Sequence, residues 1–278
     1  MVRRAALLSA LTVTLLLGAC SNKNEAESAA SADAQAGADA PAAEAPAEES
    51  KPAPKMDYWR FVGPLIAGTY GGECMRLPDA RKMDGAITIG ADGKASAGGM
   101  DADFRTVKMA MLMRSRDDKG DYSALATLSV DDDKGGMLSL QAGKENGASL
   151  ARGDTGIMCS KTTASNQLNA QPLYLALAKA VNGRKQTIGC LDTKNLLVRR
   201  NTDFEFADGV VRIGDESFDM KAAVSEGFTV HDGGETVALA VVMPEERTLN
   251  AMFDGAGKLT HVQAHKKQES TYFCDVKS

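Results

Sequence analysis

Hydrophobic and polar residues alternate with a period of two through much of the chain after residue 56, which is typical of half-buried β-strands. The clearest example runs from residue 107 to 114, where Val107, Met109, Met111 and Met113 occupy every second position. Methionine fills irregular protein interiors well, so we expect this set of side chains to face the core.

Turn sequences separate the predicted strands at intervals of about ten residues, a spacing that favours antiparallel sheets. Asp92-Gly93 and Asp208-Gly209 each stand between two apolar segments. Asp-Gly supplies the positive φ angles of tight hairpin turns, so we predict a hairpin at each place. A third hairpin is predicted with its turn at residues 254–257.

Helical periodicity is confined to two short segments, residues 58–66 and 171–181. A shift of 116 residues superimposes the sequence around them, because it carries Tyr58 to Tyr174, Cys74 to Cys190 and Gly98 to Gly214. Matches at one offset indicate a duplicated unit. We therefore predict a mainly β protein with short helices (α+β), built of two tandem antiparallel domains, residues 56–165 and 166–278. Each domain is expected to be a small barrel or strongly bent sheet that follows a helix and is closed by one disulfide.

Four cysteines lie in the predicted domains and allow three disulfide pairings. A duplicated domain should carry its own bridge, so we favour Cys74–Cys159 and Cys190–Cys274. In the chain-entropy model, closing a loop of this length stabilises a domain by about 4.5 kcal/mol. The chain has no C-x-x-C pair, so a redox or metal thiol cluster is disfavoured.

The amino terminus has a basic start followed by an apolar run that is too short to span a bilayer. It ends in Leu17-Gly18-Ala19-Cys20, which resembles the lipobox of bacterial lipoproteins. The resemblance implies cleavage of residues 1–19, a diacylglyceryl group on Cys20 and acylation, for example with palmitate, of the new amino terminus. Ser21 in place of Asp implies retention at the outer membrane, facing the periplasm.

Residues 20–55 are predicted to be the acylated cysteine and a disordered tether. Residues 21–55 are rich in Ala, Glu, Ser and Pro, lack large apolar side chains, and carry three lysines against seven acidic residues. Such a segment buries too little apolar surface to offset the entropy of ordering. As a coil it would span on the order of 30 Å.

Composition disfavours several functions. The formal net charge of −5 argues against nucleic-acid binding, and the three histidines offer few ligands for a metal centre. The chain has no G-x-S-x-G, H-E-x-x-H or strand-linked G-x-G-x-x-G motif, so we expect neither a catalytic residue nor a cofactor.

Two groups of residues could bind metals. Thioethers suit Cu(I), so Met109, Met111 and Met113 are a weak metal candidate beside the core interpretation. His261 and His265 would stand about 13 Å apart on a strand, too far to share one metal. We expect these two histidines to lie on a solvated surface.

We therefore predict a membrane-anchored periplasmic lipoprotein that acts as a non-catalytic binding or envelope-interaction module. One alternative is a calycin-like carrier of a small apolar ligand, since Gly68-Thr69-Tyr70-Gly71-Gly72 resembles the start of such barrels. A second is a periplasmic inhibitor of a wall-degrading enzyme, and an unrecognised hydrolase is the last. Its partners would be the membrane, through the lipid, and an envelope protein or a small apolar ligand.

Overall fold

The computed structural model describes residues 54–130, 136–142, 146–162, 168, 170–192, 195–267 and 269–276. The signal segment and all but the last two residues of the predicted tether lie outside this part. Residues 50–278 form one compact unit. No helix in the described ranges is long and apolar enough to cross a membrane.

The described residues form two short α-helices and a series of antiparallel β-strands, as the periodicity predicts. The helices are α1 (Trp59–Ile66) and α2 (Tyr174–Val181). The strands are β1 (Gly68–Gly71), β2 (Glu73–Leu77), β3 (Arg81–Met83), β4 (Ala86–Ile89), β5 (Lys94–Ala97), β6 (Met100–Asp103), β7 (Val107–Arg116), β8 (Tyr122–Val130), β9 (Gly136–Ala142), β10 (Gly147–Arg152), β11 (Thr155–Ser160), β12 (Arg184–Asp192), β13 (Asn195–Ala207), β14 (Val210–Ile213), β15 (Glu216–Asp219), β16 (Ser225–His231), β17 (Thr236–Met243), β18 (Arg247–Asp254), β19 (Leu259–Lys266) and β20 (Glu269–Asp275).

The strands form two sheets, neither of which closes. The larger sheet has 16 strands in the order β15-β14-β13-β12-β20-β19-β18-β17-β16-β7-β8-β9-β10-β11-β2-β3. The smaller has four, in the order β1-β4-β5-β6, and its β4 and β5 lie against β10 and β11. These strands therefore do not form a small barrel, which was one of the two predicted forms of the β domains.

The pairing of β7 with β16 joins strands from the two predicted domains in one sheet. The strands run antiparallel, and Leu112 stands directly opposite Phe228. Both side chains are fully buried. This pairing, the β7–β16 joint, therefore lies within the buried core.

Two disulfides are present, Cys74–Cys159 and Cys190–Cys274, and this is the pairing that the sequence favours. Each links two residues that stand directly opposite each other on adjacent strands, β2 with β11 and β12 with β20. Each bridge therefore ties an early strand of its half of the chain to the last one.

The Asp-Gly turns form hairpins as predicted. Asp208 and Gly209 connect β13 to β14 with φ angles of 54° and 78°. Positive φ at both central residues is characteristic of the turn type that matches the twist of paired strands. Gly93 also has a positive φ, of 84°, in the turn between β4 and β5.

Candidate functional site

A crevice of about 500 Å³ lies between the two helices. Phe61, Pro64 and Leu65 of α1 form one wall, and Leu175 and Ala178 of α2 are on the other. Leu175 is 41% exposed on this wall, whereas its neighbours Tyr174 and Ala176 are buried. The crevice therefore offers an apolar surface to a ligand of small-molecule size.

Charged groups line the edge of the crevice beside these apolar walls. Lys179 lies in the last turn of α2, and Lys221 lies in a short 3₁₀ turn (Met220–Ala222). The carboxylate at this edge is that of Asp208, in the turn between β13 and β14. Of the charged residues that line the crevice, two are cationic and one is anionic.

The amino terminus of α2 is held by a buried carboxylate. Glu226 on β16 accepts hydrogen bonds from the backbone N–H of Leu173, at 3.1 Å, and of Tyr174, at 3.4 Å. These N–H groups belong to the first turn, where the helix offers no carbonyl partner and where its dipole favours negative charge. Glu226 thus fixes the wall of the crevice to the centre of the sheet.

Glu226 also pairs with Arg114, which is directly opposite it on β7. The Arg114 Nη1 to Glu226 Oε2 distance is 3.3 Å, and the two residues are 6% and 3% exposed. Burial raises the pKa of Glu226, although the hydrogen bonds from the α2 backbone and the Arg114 charge act in the opposite direction. The Arg114 guanidinium also lies over the Tyr122 ring, 3.4 Å from its centroid.

The prediction that Met109, Met111 and Met113 face the core is wrong. Met109 and Met113 are 37% and 45% exposed, and Met111 is half-buried. The core-facing residues of β7 after Val107 are instead Ala110, Leu112 and Arg114. The three methionines share one face of the strand, on the outer side of the sheet.

A β-bulge is the cause of this inversion. The register of β7 against β8 shifts between Val107 and Met109, so that Lys108 and Met109 are both exposed. An extra residue in a strand moves every later side chain to the opposite face. Val107 therefore points inward while the methionines that follow it point outward.

Apart from the exposed Lys108 at the bulge, the outer face around these methionines carries uncharged side chains, most of them short. On β8 it presents Ser123, Leu125, Thr127 and Ser129, and on β16 it presents Ser225, Gly227, Thr229 and His231. Two shallow depressions of about 400 and 350 Å³ lie on this side, with Leu125 at the border of both. The long methionine side chains therefore stand among neighbours that do not cover them.

His261 and His265 lie on β19, as expected of a strand, but His261 is not simply solvated. Its Nδ1 lies 2.6 Å from Asp275 Oδ1, and its ring packs edge-on against Phe273. Over the ranges that the structure describes, no group of three or more His, Cys, Asp or Glu side chains could hold a metal ion.

The turn at residues 117–121 is a hairpin turn, with the Lys119 and Asp121 N–H groups donating to Asp117 Oδ1. The acidic run at residues 131–133 lies outside the described residues.

Comparison with known proteins gives no match, whether with family models, curated proteins or solved structures. Function is therefore inferred from the sequence, the fold and the surfaces that the fold presents.

Proposed function

We propose that this chain is an outer-membrane lipoprotein, anchored through lipid on Cys20 and facing the periplasm, whose folded body is a non-catalytic binding module. The Leu17-Gly18-Ala19-Cys20 sequence supports the anchor, and the charged, proline-interrupted segment after it supports a tether. The crevice between α1 and α2 is the observation that carries the binding role. Labelling with an alkyne palmitate analogue tests the anchor, since Cys20→Ser must abolish the label.

The body is further proposed to consist of two related halves, residues 56–165 and 166–278. Shifting the chain by 116 residues carries β5 and β6 onto β14 and β15 residue for residue. The same shift carries the 3₁₀ turn Phe104–Thr106 onto Met220–Ala222, and each of these turns is capped by an aspartate at the preceding position. By the same shift, the long strand β12 corresponds to β1 and β2 together, and the long strand β13 corresponds to β3 and β4 together.

The joint between the halves supports the same relation. The shift of 116 carries Leu112 to Phe228, and these two residues face each other across the β7–β16 pair. An antiparallel pair whose equivalent residues meet at its centre has a local two-fold axis. The two halves are thus proposed to contact each other through the same strand.

The crevice best fits a small molecule with an apolar body and an anionic group. The walls formed by α1 and α2 would bury the apolar part, which supplies about 25 cal/mol per Å² of apolar surface removed from water. Lys179 and Lys221 would face the anionic group at the edge. This is the carrier hypothesis with the ligand held between the helices.

Two dyes of similar shape but different charge test the proposal on the chain with Cys20→Ser. These are the anionic 8-anilinonaphthalene-1-sulfonate and the neutral N-phenyl-1-naphthylamine, followed by their fluorescence. Leu175→Asp should weaken binding of both dyes by about tenfold or more, because a carboxylate then faces the apolar wall. Lys179→Glu with Lys221→Glu should weaken the anionic dye alone.

The matched control is Leu197→Asp, because Leu197 is a leucine on β13 that is 95% exposed and lies outside the crevice. It should leave both dyes unaffected. An equal loss of dye binding in Leu175→Asp and Leu197→Asp would contradict the proposal. So would equal weakening of both dyes in the variant with Lys179→Glu and Lys221→Glu. The inhibitor hypothesis is tested separately by adding the same protein to a lysozyme assay on cell-wall fragments.

A further inference from the structure

Two thioether sulfurs and one imidazole, all of which can bind a metal ion, lie together on the outer face of the β7–β16 joint. Met109 and Met111 are successive outward residues of β7, and His231 on β16 stands directly opposite Met109. His231 is exposed and ends its strand before the turn at residues 232–235. One imidazole and two thioethers therefore project from the same small area.

The spacing of these residues allows them to reach one ion. Directly opposite residues have Cβ atoms about 5 Å apart, diagonal pairs about 7–8 Å, and residues i and i+2 of one strand about 7 Å. A point equidistant from three such Cβ atoms lies roughly 4 Å from each of them. Methionine and histidine side chains are long enough to place a donor atom near that point.

The surroundings keep these donors accessible. Met111 stands opposite Thr229 on one side and Thr127 on the other, and Met109 stands opposite Ser129. The Ser129 hydroxyl donates a hydrogen bond to the Met109 carbonyl, at 3.4 Å, so this part of β7 is tied to its neighbour. Short neighbours leave Met109 exposed and Met111 half-buried, on a backbone that is paired on both sides.

The chemistry of the donors selects the ion. Neutral thioethers and an imidazole suit soft, monovalent Cu(I), whereas Ca²⁺, Mg²⁺ and Mn²⁺ require oxygen ligands. Apart from Lys108, which the bulge leaves exposed beside Met109, the outward positions next to these donors on β7, β8 and β16 are Ser, Thr, Gly, Leu and Met. We propose that Met109, Met111 and His231 bind one Cu(I) ion, with Met113 the next thioether along the strand.

The position equivalent to this site in the second half of the chain does not repeat its donors. A shift of 116 residues carries Met109 and Met111 to Ser225 and Gly227, and it carries Ser115 to His231. The position related to this site by the local two-fold axis therefore holds Ser225, Gly227 and Ser115, which supply no soft donor. The proposed metal binding would distinguish one half from the other.

Titration with Ag(I), which is a redox-stable substitute for Cu(I), tests the proposal on the chain with Cys20→Ser, so that no free thiol competes. Native mass spectrometry should detect one bound Ag(I), and ¹³C-methyl spectra should shift the Met109 and Met111 signals. Anaerobic competition with bicinchoninate then measures Cu(I). Met109→Leu with His231→Gln should weaken binding by more than about tenfold, since losing even an outer-shell partner costs that much.

Met137→Leu and Met158→Leu are the matched controls, because these methionines are similarly exposed but lie on β9 and β11. Both controls should bind one ion with unchanged affinity. Absence of binding to the starting chain would overturn the proposal, and so would equal weakening in the controls. Leucine at these exposed positions removes only the sulfur donor, and far-UV circular dichroism verifies that each variant is folded.

Discussion

Removing either partner of the buried Arg114–Glu226 pair should destabilise the protein far more than removing both. Glu226→Ala leaves an unpaired guanidinium in the core, which costs about 3–5 kcal/mol. It also removes the acceptor for the first turn of α2, which adds about 1 kcal/mol. We therefore expect Glu226→Ala to lower the free energy of unfolding by about 4–6 kcal/mol.

The double variant Arg114→Val with Glu226→Ala places a valine opposite an alanine across β7 and β16. The same two strands already contain one such valine–alanine pair. Ala110 on β7 stands opposite Val230 on β16, and both side chains are buried. Replacing a buried ion pair by apolar residues is often neutral. The expected cost of the double variant is therefore only about 1–2 kcal/mol, from the lost helix cap and the lost Arg114–Tyr122 contact.

Urea unfolding measures these differences through the emission of Trp59, the single tryptophan, and through circular dichroism. The interaction free energy from the double-mutant cycle should be several kcal/mol. Arg114→Val should also become less destabilising as the pH falls, because burial raises the pKa of Glu226 and a protonated carboxyl needs no counter-charge. Single-variant costs that simply add up in the double variant would refute the reasoning.

Three further predictions concern stability. Burial raises the pKa of Tyr70 from 10.0 to about 12. The neutral tyrosine should therefore add about 2–3 kcal/mol to the free energy of unfolding below pH 10, and this stabilisation should be lost as the pH rises through 12. Tyr70→Phe should flatten this alkaline loss in chemical unfolding, at a cost near neutral pH of about 1 kcal/mol for the hydrogen bond to Ile66. Gly209→Ala should lower the melting temperature, because residue 209 has a φ of 78° and an added Cβ would lie 2.9 Å from the Tyr174 ring. Reducing both disulfides should lower the free energy of unfolding by up to about 4.5 kcal/mol for each bridge, which urea unfolding detects as a lower midpoint.

Gly120→Ala is the control for the Gly209 variant, because residue 120 also has a positive φ, of 88°, but a Cβ there would meet no atom within 4 Å. Equal losses in the two glycine variants would mean that the ring contact contributes nothing. An alkaline transition of Tyr70→Phe that matches the starting protein would assign the pH dependence to other groups.

Local signals predicted the hairpins, and the repeated cysteine spacing predicted the disulfides. Asp208-Gly209 favours its hairpin turn locally, because both residues adopt positive φ readily. Cys74 and Cys159 were paired correctly because the spacing in the second half repeats that in the first.

The orientation of β7 could not be predicted in this way. Alternation identifies two faces of a strand without saying which one is buried, and a bulge after Val107 exchanges them. The sequence alone would place Arg114 on the surface. It is buried because Glu226, 112 residues later in the chain, stands opposite it in the sheet and pairs with it. The crevice was missed for a related reason, since it is formed by two helices that are far apart in the sequence.

The β7–β16 joint has a consequence for how such a body assembles. A chain that carried residues 56–165 alone would present β7 as an unpaired edge, with main-chain donors and acceptors open to another strand. Two copies could pair along that edge in the register now seen between Leu112 and Phe228, but only at sufficient concentration. Covalent linkage of the two segments makes this association intramolecular, so the 16-stranded sheet is retained at any dilution of the protein.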